Sequence, residues 1–589
     1  MPVFAPPLAD HLYTLYDLLD FEGHARLPGF EHCTRDVIEA VLEQSARFSA
    51  EVLYPLHRQA DEEGVHFDGG TVTTPKGFKE AYRQLVAGGW PALTAAPEHG
   101  GQGMPHMVNF LFEEMINGAN LSFGLFPGLT RGAYVAIAQH GTDAQQALYA
   151  AKLASGEWAG SMCLTEAHCG TDLGLLKTHA VPHGDGSHAI TGTKIFISAG
   201  EHDLTENIIY LVLARLPDAP KGSKGISLFV VPKVLVKEDG SLGARNAVAC
   251  GSVEHKMGIH GCPTCVMNFD GATGWLMGEP NQGLKAMFAM MNTERIAVGI
   301  HGLAIAEASY QNAVAYARER RQGRAPAGAR DAAHPADPII VHPDVRRMLM
   351  TQRALTEGCR MLALWTAQAL DVSERHADAG ERRKADDMVA LMTPVVKAFL
   401  TDSGVEVANT GVQVLGGHGF IRANGQEQYL RDVRITPIYE GTNGVQAMDL
   451  VGRKVLHLDL FGSFATPVQG FVERHEGEAV LAEFVEPLAA SYDLLEDATR
   501  VLRERAGMHP DEAGANAVDY MRLFALTAVA YLFARAAEVS MPMSNADFHR
   551  AKLVTARFFM QRILPDTAAL HARILAGAGP VMEMDEVMF

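Results

Sequence analysis

The apolar residues of this chain change period twice, and that order limits the folds open to it. From about residue 34 to 160 they recur at helical spacing: Val37, Val41, Phe48 and Val52 stand four, seven and four residues apart and share one face. From about residue 161 to 283 the texture becomes short β-like runs, AITGTKIFIS, IIYLVLARL, GISLFVVP and CVMNFD. Gly, Asp and Pro punctuate these runs at spacings that suit a mostly antiparallel sheet or small barrel. From about Leu284 the helical period returns, with Leu303, Ala306, Tyr310, Val314 and Ala317 along one stripe. Strands and helices do not alternate, and no GxGxxG joins a strand to a helix, so a Rossmann domain is disfavoured. The expected class is α+β.

A second helical pattern covers about residues 385 to 415, with Pro394 inside it, where a proline should kink or split the helix. The polar stretch GRAPAGARDAAHPADP ahead of it reads as a loop. Residues 461 to 475 read as a linker, and helical patterns resume at 481–505, 518–540 and 547–574. Leu526, Val529 and Phe533 form one apolar stripe there, and Leu553, Ala556, Phe559 and Ile563 another. A chain of 589 residues is too long for one core. The expected domains are an N-terminal helical domain (1–160), a middle β domain (161–283), a helical bundle (284–455) and an all-helical C-terminal extension (456–589).

A net charge of −19 argues against a nucleic-acid partner, whose phosphates want a basic face. Seven scattered cysteines do not make a disulfide framework. Cys262 and Cys265 lack the two further ligands of a zinc site, so no metal is expected. The stretch MPVFAPPLADHLYTLYDLLDF has no basic n-region and its apolar residues are interrupted by acids. No run of about 18 apolar residues appears anywhere, so no membrane span is expected and the chain reads as cytoplasmic.

Three segments carry possible chemistry. Met162-Cys-Leu-Thr-Glu-Ala-His-Cys-Gly-Thr-Asp172 ends an apolar run, so the hydroxyl and amide of Thr165 could face a planar ring. The alternative is a β-hairpin in which Thr165 and Phe196 merely suit strand positions. In Gln413-Val-Leu-Gly-Gly-His-Gly-Phe420, Gly416 and Gly417 permit close backbone approach to a nucleotide. In RITPIYEGTNGVQ, Glu440 stands between an apolar Ile438-Tyr439 pair and a glycine turn. It either marks a helix start, near the positive end of the dipole, or is a base in an apolar pocket. Arg320, Arg321 and Arg324 read locally as the charged end of a helix.

With Ile190-Thr-Gly-Thr-Lys-Ile-Phe-Ile-Ser198 added, these segments in this order resemble the acyl-CoA dehydrogenase family, over roughly residues 35 to 455. The chain looks most like the long bacterial forms with a C-terminal helical extension. The resemblance implies FAD as cofactor and α,β-dehydrogenation of an acyl-CoA to a trans-2-enoyl-CoA. It carries Met162, Leu164, Thr165, Phe196 and Ser198 to the flavin and Thr171 to the diphosphate. Phe196 stands where relatives more often have Trp, and Ala-His-Cys-Gly-Thr-Asp where they have Pro-Gly-Ala-Gly-Ser-Asp. An aromatic plane and a hydroxyl survive both changes, and His168 reads as a loop histidine. Arg320, Gln322, Gln413, Gly416 and Gly417 are implied to reach the adenosine half of a neighbouring subunit's FAD. A homodimer follows, with a tetramer as the alternative.

The resemblance also places Arg295, at the start of the long helix, near the CoA moiety, with a surface salt bridge to Glu294 as the other reading. It makes Glu440 the base, Tyr439 part of the pocket wall, Gly441 the turn beside the substrate, and Thr442 a flavin contact. The chemistry needs such a base: an α-proton leaves a thioester only when the enolate is stabilised, while a hydride leaves the β-carbon on the opposite side. Some relatives supply the base near the position of His301-Gly302, where this chain has no acid; Glu307 there reads as a surface or paired residue. Electrons are expected to pass to electron-transferring flavoprotein. Straight-chain fatty acyl-CoAs and the thioether 3-methylmercaptopropionyl-CoA are both admitted as substrates. The alternatives are an acyl-CoA oxidase, which often ends in a peroxisomal signal unlike EVMF, and a DNA-associated flavoprotein relative.

Overall fold

The computed structural model describes residues 4–589, so the first three residues of the N-terminal stretch lie outside it. The chain folds as two compact units. One comprises residues 47–105 and 115–297; the other comprises the residues up to Ala46, 106–114 and 298–589.

The first unit carries the sheet. Its strands are β1 (Ala159–Cys163), β2 (His179–Pro182), β3 (His188–Ser198), β4 (Ile208–Ala214), β5 (Ser227–Pro232), β6 (Val248–Val253) and β7 (Thr264–Met277). They lie in the order β1-β4-β5-β7-β3-β2, with β6 also on β7. All pairs are antiparallel except β1 with β4. Strand β7 serves both halves: it pairs with β3 over 264–274 and with β5 over 275–277. The sheet is thus the mostly antiparallel one the β-like runs require. Every residue of β4 is buried, which is why IIYLVLA shows no polar alternation. Tyr210, Phe229, Met267 and Phe269 fill the core beneath it. All seven cysteines of the chain are buried thiols.

One expected stripe is displaced. In helix Arg35–Arg47 the buried residues are Ile38, Leu42, Ser45 and Ala46, whereas Val37 is exposed. The two sets have nearly the same spacing one residue apart, and a widened helical turn at Phe48–Leu53 then shifts the phase.

The second unit is helical. It is built on α1 (Gly283–Glu319), whose residues from Val298 onward belong to it, α2 (Pro343–Arg375) and α3 (Ala379–Leu415). The 33-residue α2 has no counterpart among the expected elements. Helix α3 runs unbroken through Pro394, contrary to expectation. Residues 391–401 are all buried, and that packing outweighs the roughly 3 kcal/mol cost of the proline. Helices α1 and α3 touch backbone to backbone: a Cβ on Gly302 would lie 2.5 Å from the Leu400 carbonyl oxygen, and one on Gly404 2.6 Å from that of Gly302.

The expected linker is a helix, α4 (Phe461–Arg474). It buries Phe461, Phe464, Ala465, Val468 and Phe471, an apolar stripe that Gly462, Pro467 and Gly470 disguise. Then come α5 (Ala482–Ala506), α6 (Asp511–Ser540), α7 (Asp547–Arg562) and α8 (Asp566–Ala576), the last two divided just before Pro565. Both expected C-terminal stripes are buried. Segments Ala379–Phe420 and Asp511–Met543 are long and apolar enough to cross a membrane, but their most apolar windows are 72% and 83% buried inside the fold.

The N-terminal residues pack into this unit. The Tyr13 hydroxyl donates to the Ala536 carbonyl at 3.0 Å, and Arg535 donates to the Leu18 carbonyl at 2.8 Å. A buried ionic cluster adds to this. The Arg360 guanidinium bonds both oxygens of Glu114, Glu307 at 2.6 Å, and Asp10, while Lys552 bonds Asp10 and Glu357. Burial pushes the Glu114 carboxyl up, but Arg360 and His11 outweigh it and hold it down at about 2. Glu307 is thus a buried, paired acid.

Candidate active site

Two groups of the expected residues assemble, one in each unit. In the sheet unit, β1 and the residues after it lie beside the end of β3. The Thr165 carbonyl accepts the Ile195 N–H at 2.9 Å, and the Ser161 hydroxyl donates to the Ser198 carbonyl at 2.9 Å. Met162, Leu164, Thr165 and Ser198 are half-buried in this patch. Phe196 is 60% exposed and holds a left-handed backbone, φ +59. That conformation is costly for a residue with a β-carbon, and Ala199 repeats it at φ +50.

A buried ion pair pins this patch to the loop that follows. The Lys194 ammonium donates to the Leu164 carbonyl and to Glu166, each at 2.9 Å. Glu166 also accepts the Lys177 and Thr178 N–H groups and the Thr178 hydroxyl. Burial pushes its carboxyl up, but Lys194 and these donors hold it at about 2. Beside them a cavity of about 360 Å³ is lined by Glu166, His168, Lys177, His179, Thr191, Thr193 and Ile195, residues of the two quoted segments and of the chain between them. His168 is a loop histidine, 3.1 Å from the Leu175 carbonyl, and Thr171 stands exposed on the same loop. Arg295 is buried, not on the surface; it lies about three turns inside α1, its Nη1 3.5 Å from Asn292 Oδ1.

In the helical unit, Arg320, Gln322, Gly416 and Gly417 line one cavity of about 360 Å³ with Tyr316 and His418, which bond each other at 2.7 Å. Gly416 has φ +59, and a Cβ on it or on Gly417 would meet nothing within 4 Å, so both backbones are open. Guanidinium, amide and imidazole donors around bare backbone suit an anionic, hydrogen-bonding nucleotide. Gln413 is exposed and outside this lining.

The Glu440 turn lies in the same unit. Glu440 has φ +56 and Gly441 φ +85, a tight left-handed pair that leaves Glu440 half-buried. The helix start belongs to Thr442, whose hydroxyl caps Asn443–Met448, so Glu440 is not the cap. Ile438, the other half of the apolar pair, sits in a surface turn, 47% exposed. Tyr439 is half-buried, its hydroxyl 2.8 Å from His301 Nδ1. The turn is held from α3. The Lys397 ammonium donates to the Gly441 carbonyl and to Asn443 Oδ1, each at 2.8 Å, and the Gln446 amide donates to the Glu440 carbonyl at 3.1 Å. Lys397, Asn443, Gln446 and His301 were not among the expected residues. A lysine inside the apolar run VVKAFL was the available signal, because such a lysine is rarely buried without a task.

Family models match nearly the whole chain: acyl-CoA dehydrogenase N-terminal domain at 36–157, middle domain at 161–272, C-terminal domain at 281–456, and an acetyl-CoA dehydrogenase C-terminal-like domain at 464–585. The chain is 44% identical over 580 residues to a protein of Ruegeria pomeroyi named 3-methylmercaptopropionyl-CoA dehydrogenase, covering 97% of this chain and 98% of that one. Its fold matches that of Caenorhabditis elegans ACDH-11, solved with C11-CoA, with a TM-score of 0.77 at 20% identity over 99% of this chain and 96% of that one. An acyl-CoA dehydrogenase from Bacillus anthracis, solved with FAD, matches with a TM-score of 0.75 at 19% identity over 96% and 91%.

Proposed function

The chain belongs to the acyl-CoA dehydrogenase family, whose enzymes use FAD, and on that premise we propose that Glu440 is the base that takes the α-proton of the acyl-CoA. The observation that carries this reading is the left-handed turn at Glu440 and Gly441, gripped through its carbonyls by Lys397 and Gln446. Such a grip fixes the starting point of the carboxylate, and proton abstraction from carbon rewards a fixed geometry.

The residues present fit FAD. Arg320, Gln322, Gly416 and Gly417, joined by Gln413, would hold the adenosine half of a neighbouring subunit's cofactor. Thr165, Phe196 and Ser198, with Met162, Leu164 and Thr442, would hold the flavin, and Thr171 the diphosphate. Bound FAD supplies the acceptor for the hydride that leaves the β-carbon. The Glu440 N–H offers the thioester oxygen a donor as enolate charge develops. Arg295, Tyr439 and Gly441 would border the acyl-CoA, with the Tyr439 ring held by His301. A homodimer results, because one cofactor draws on two chains, and electron-transferring flavoprotein is the next acceptor.

The Ruegeria relative supports 3-methylmercaptopropionyl-CoA as substrate, with straight-chain fatty acyl-CoAs as the competing class. The test is anaerobic flavin bleaching with acyl-CoAs of graded length and with the thioether substrate. The thioether should bleach the flavin fastest. Glu440→Gln should keep its yellow flavin and not bleach; bleaching at the wild-type rate would sink the base assignment.

A further inference from the structure

From the network on α3 we infer that Lys397 is a positioning residue for the catalytic turn, an inference that rests on Glu440 being the base. Lys397 is fully buried, and its ammonium is bound to the main chain of Gly441 and the side chain of Asn443. Asn443 turns its amide the other way, donating to the Ala398 carbonyl at 3.1 Å, the Thr401 hydroxyl at 2.9 Å and Asp402 at 2.7 Å. Its own N–H closes the turn onto the Pro437 carbonyl at 3.0 Å. Gln446, also fully buried, reaches the Glu440 carbonyl at 3.1 Å and the Gly441 carbonyl at 3.4 Å.

Two consecutive carbonyls, of Glu440 and Gly441, are therefore drawn toward buried donors. A peptide unit is planar, so fixing its oxygen fixes the plane. Fixing two successive planes sets the torsions of Gly441 between them and holds the Cα of Glu440, which lies in the first plane. Glu440 already sits at φ +56, a region in which a glutamate does not stay without external restraint. A lysine also suits the task for a chemical reason. Burying an ammonium is tolerated only when its hydrogens are matched by acceptors, so the same charge that would be costly when unmatched enforces the contact with the Gly441 carbonyl. Thr401, which bonds the Lys397 carbonyl at 2.7 Å, ties the arrangement back into α3.

A misplacement of about 1 Å at a reacting group costs on the order of 100-fold in rate. Lys397→Met keeps the stem and removes the ammonium. In FAD-loaded enzyme it should slow anaerobic flavin reduction about 100-fold while the Kd for acyl-CoA, read from the spectral change on mixing, stays within about threefold. Asn443→Ala should slow the same step by about tenfold, and the double variant should be no slower than Lys397→Met alone, because both act through one turn. Lys552→Met is the comparison: it also removes a buried ammonium, away from the turn, and should lower the melting temperature without changing the reduction rate. Reduction within twofold of wild type in Lys397→Met overturns the inference, as does a loss that merely follows melting temperature as in Lys552→Met. If Lys397→Met does not load FAD, Asn443→Ala decides alone, and an unchanged rate in it is the overturning result. Glu440→Gln run in parallel separates the two claims, since its failure to stop reduction removes the base and not the grip on the turn.

Discussion

Replacing Phe196 separates what the protein loses from what the cofactor loses. Phe196 holds φ +59 with 60% of its surface exposed, so its own chain gives it little packing to offset a left-handed backbone. That backbone costs a residue with a β-carbon about 1–2 kcal/mol, and glycine avoids the cost. The buried remainder of the ring contributes about 1 kcal/mol, from about 1.5–3 kcal/mol for a fully buried Phe. Phe196→Ala loses that packing and keeps the strain, so the cofactor-free protein should be about 1 kcal/mol less stable than wild type. Phe196→Gly loses the same packing and sheds the strain, less about 0.5–1 kcal/mol for the freer unfolded chain. The net of about 0.5–1 kcal/mol should make it melt about 1–4 °C above Phe196→Ala. FAD affinity should move differently. Some 60% of a Phe surface of about 200 Å² is open to a planar ligand, worth about 3 kcal/mol at about 25 cal/mol per Å². Both variants should thus bind FAD about 150-fold more weakly. Melting of the cofactor-free proteins beside fluorescence titration with FAD reads both. Equal melting temperatures for the Ala and Gly variants would refute the strain argument, and unchanged affinity would refute the flavin contact.

Arg360→Leu removes the guanidinium shared by Glu114, Glu307 and Asp10 and should cost about 3–5 kcal/mol at neutral pH. With Glu114 held at about 2, its contribution is complete above about pH 4.5 and fades as pH falls toward 2. The deficit in urea unfolding should therefore narrow at about pH 4, and a deficit independent of pH would refute the ionic account. His202 is pushed down from 6.5 to about 3, by burial foremost and then by Lys233. Between those values the unfolded chain takes up a proton that the native ring refuses, so stability falls with pH, by about 2 kcal/mol at about pH 5. His202→Gln should flatten that part of the melting-temperature profile, and an unaltered slope would show that another group sets it.

Signals that are local in the chain were readable, and those that depend on partners far along it were not. The β runs and the Gly416-Gly417 and Glu440-Gly441 turns declare themselves within a few residues. The stripe in helix Arg35–Arg47 did not, because Val37 and Ile38 begin equally good apolar patterns and only packing chooses Ile38. Phe461–Arg474 was hidden by two glycines and a proline that a helix tolerates once five apolar residues are buried on one side. In the site, Lys397 and Gly441 are 44 residues apart, and His301 and Tyr439 138 apart. Nothing near either member of those pairs names the other.

The contacts that join the two ends of the chain also set an order of events during synthesis. Tyr13 and Ala536 are 523 residues apart, and Asp10 and Lys552 are 542 apart. At about 5–20 residues per second, the N-terminal segment leaves the ribosome about half a minute to two minutes before helices α6 and α7 exist. The sheet-bearing unit is complete by residue 297 and can close while translation continues. The helical unit cannot, because Tyr13 waits for Ala536 and Ser540, and Asp10, which Arg360 can reach earlier, still waits for Lys552. Folding of this unit therefore cannot finish before the segment around Tyr13 has settled onto α6 and α7.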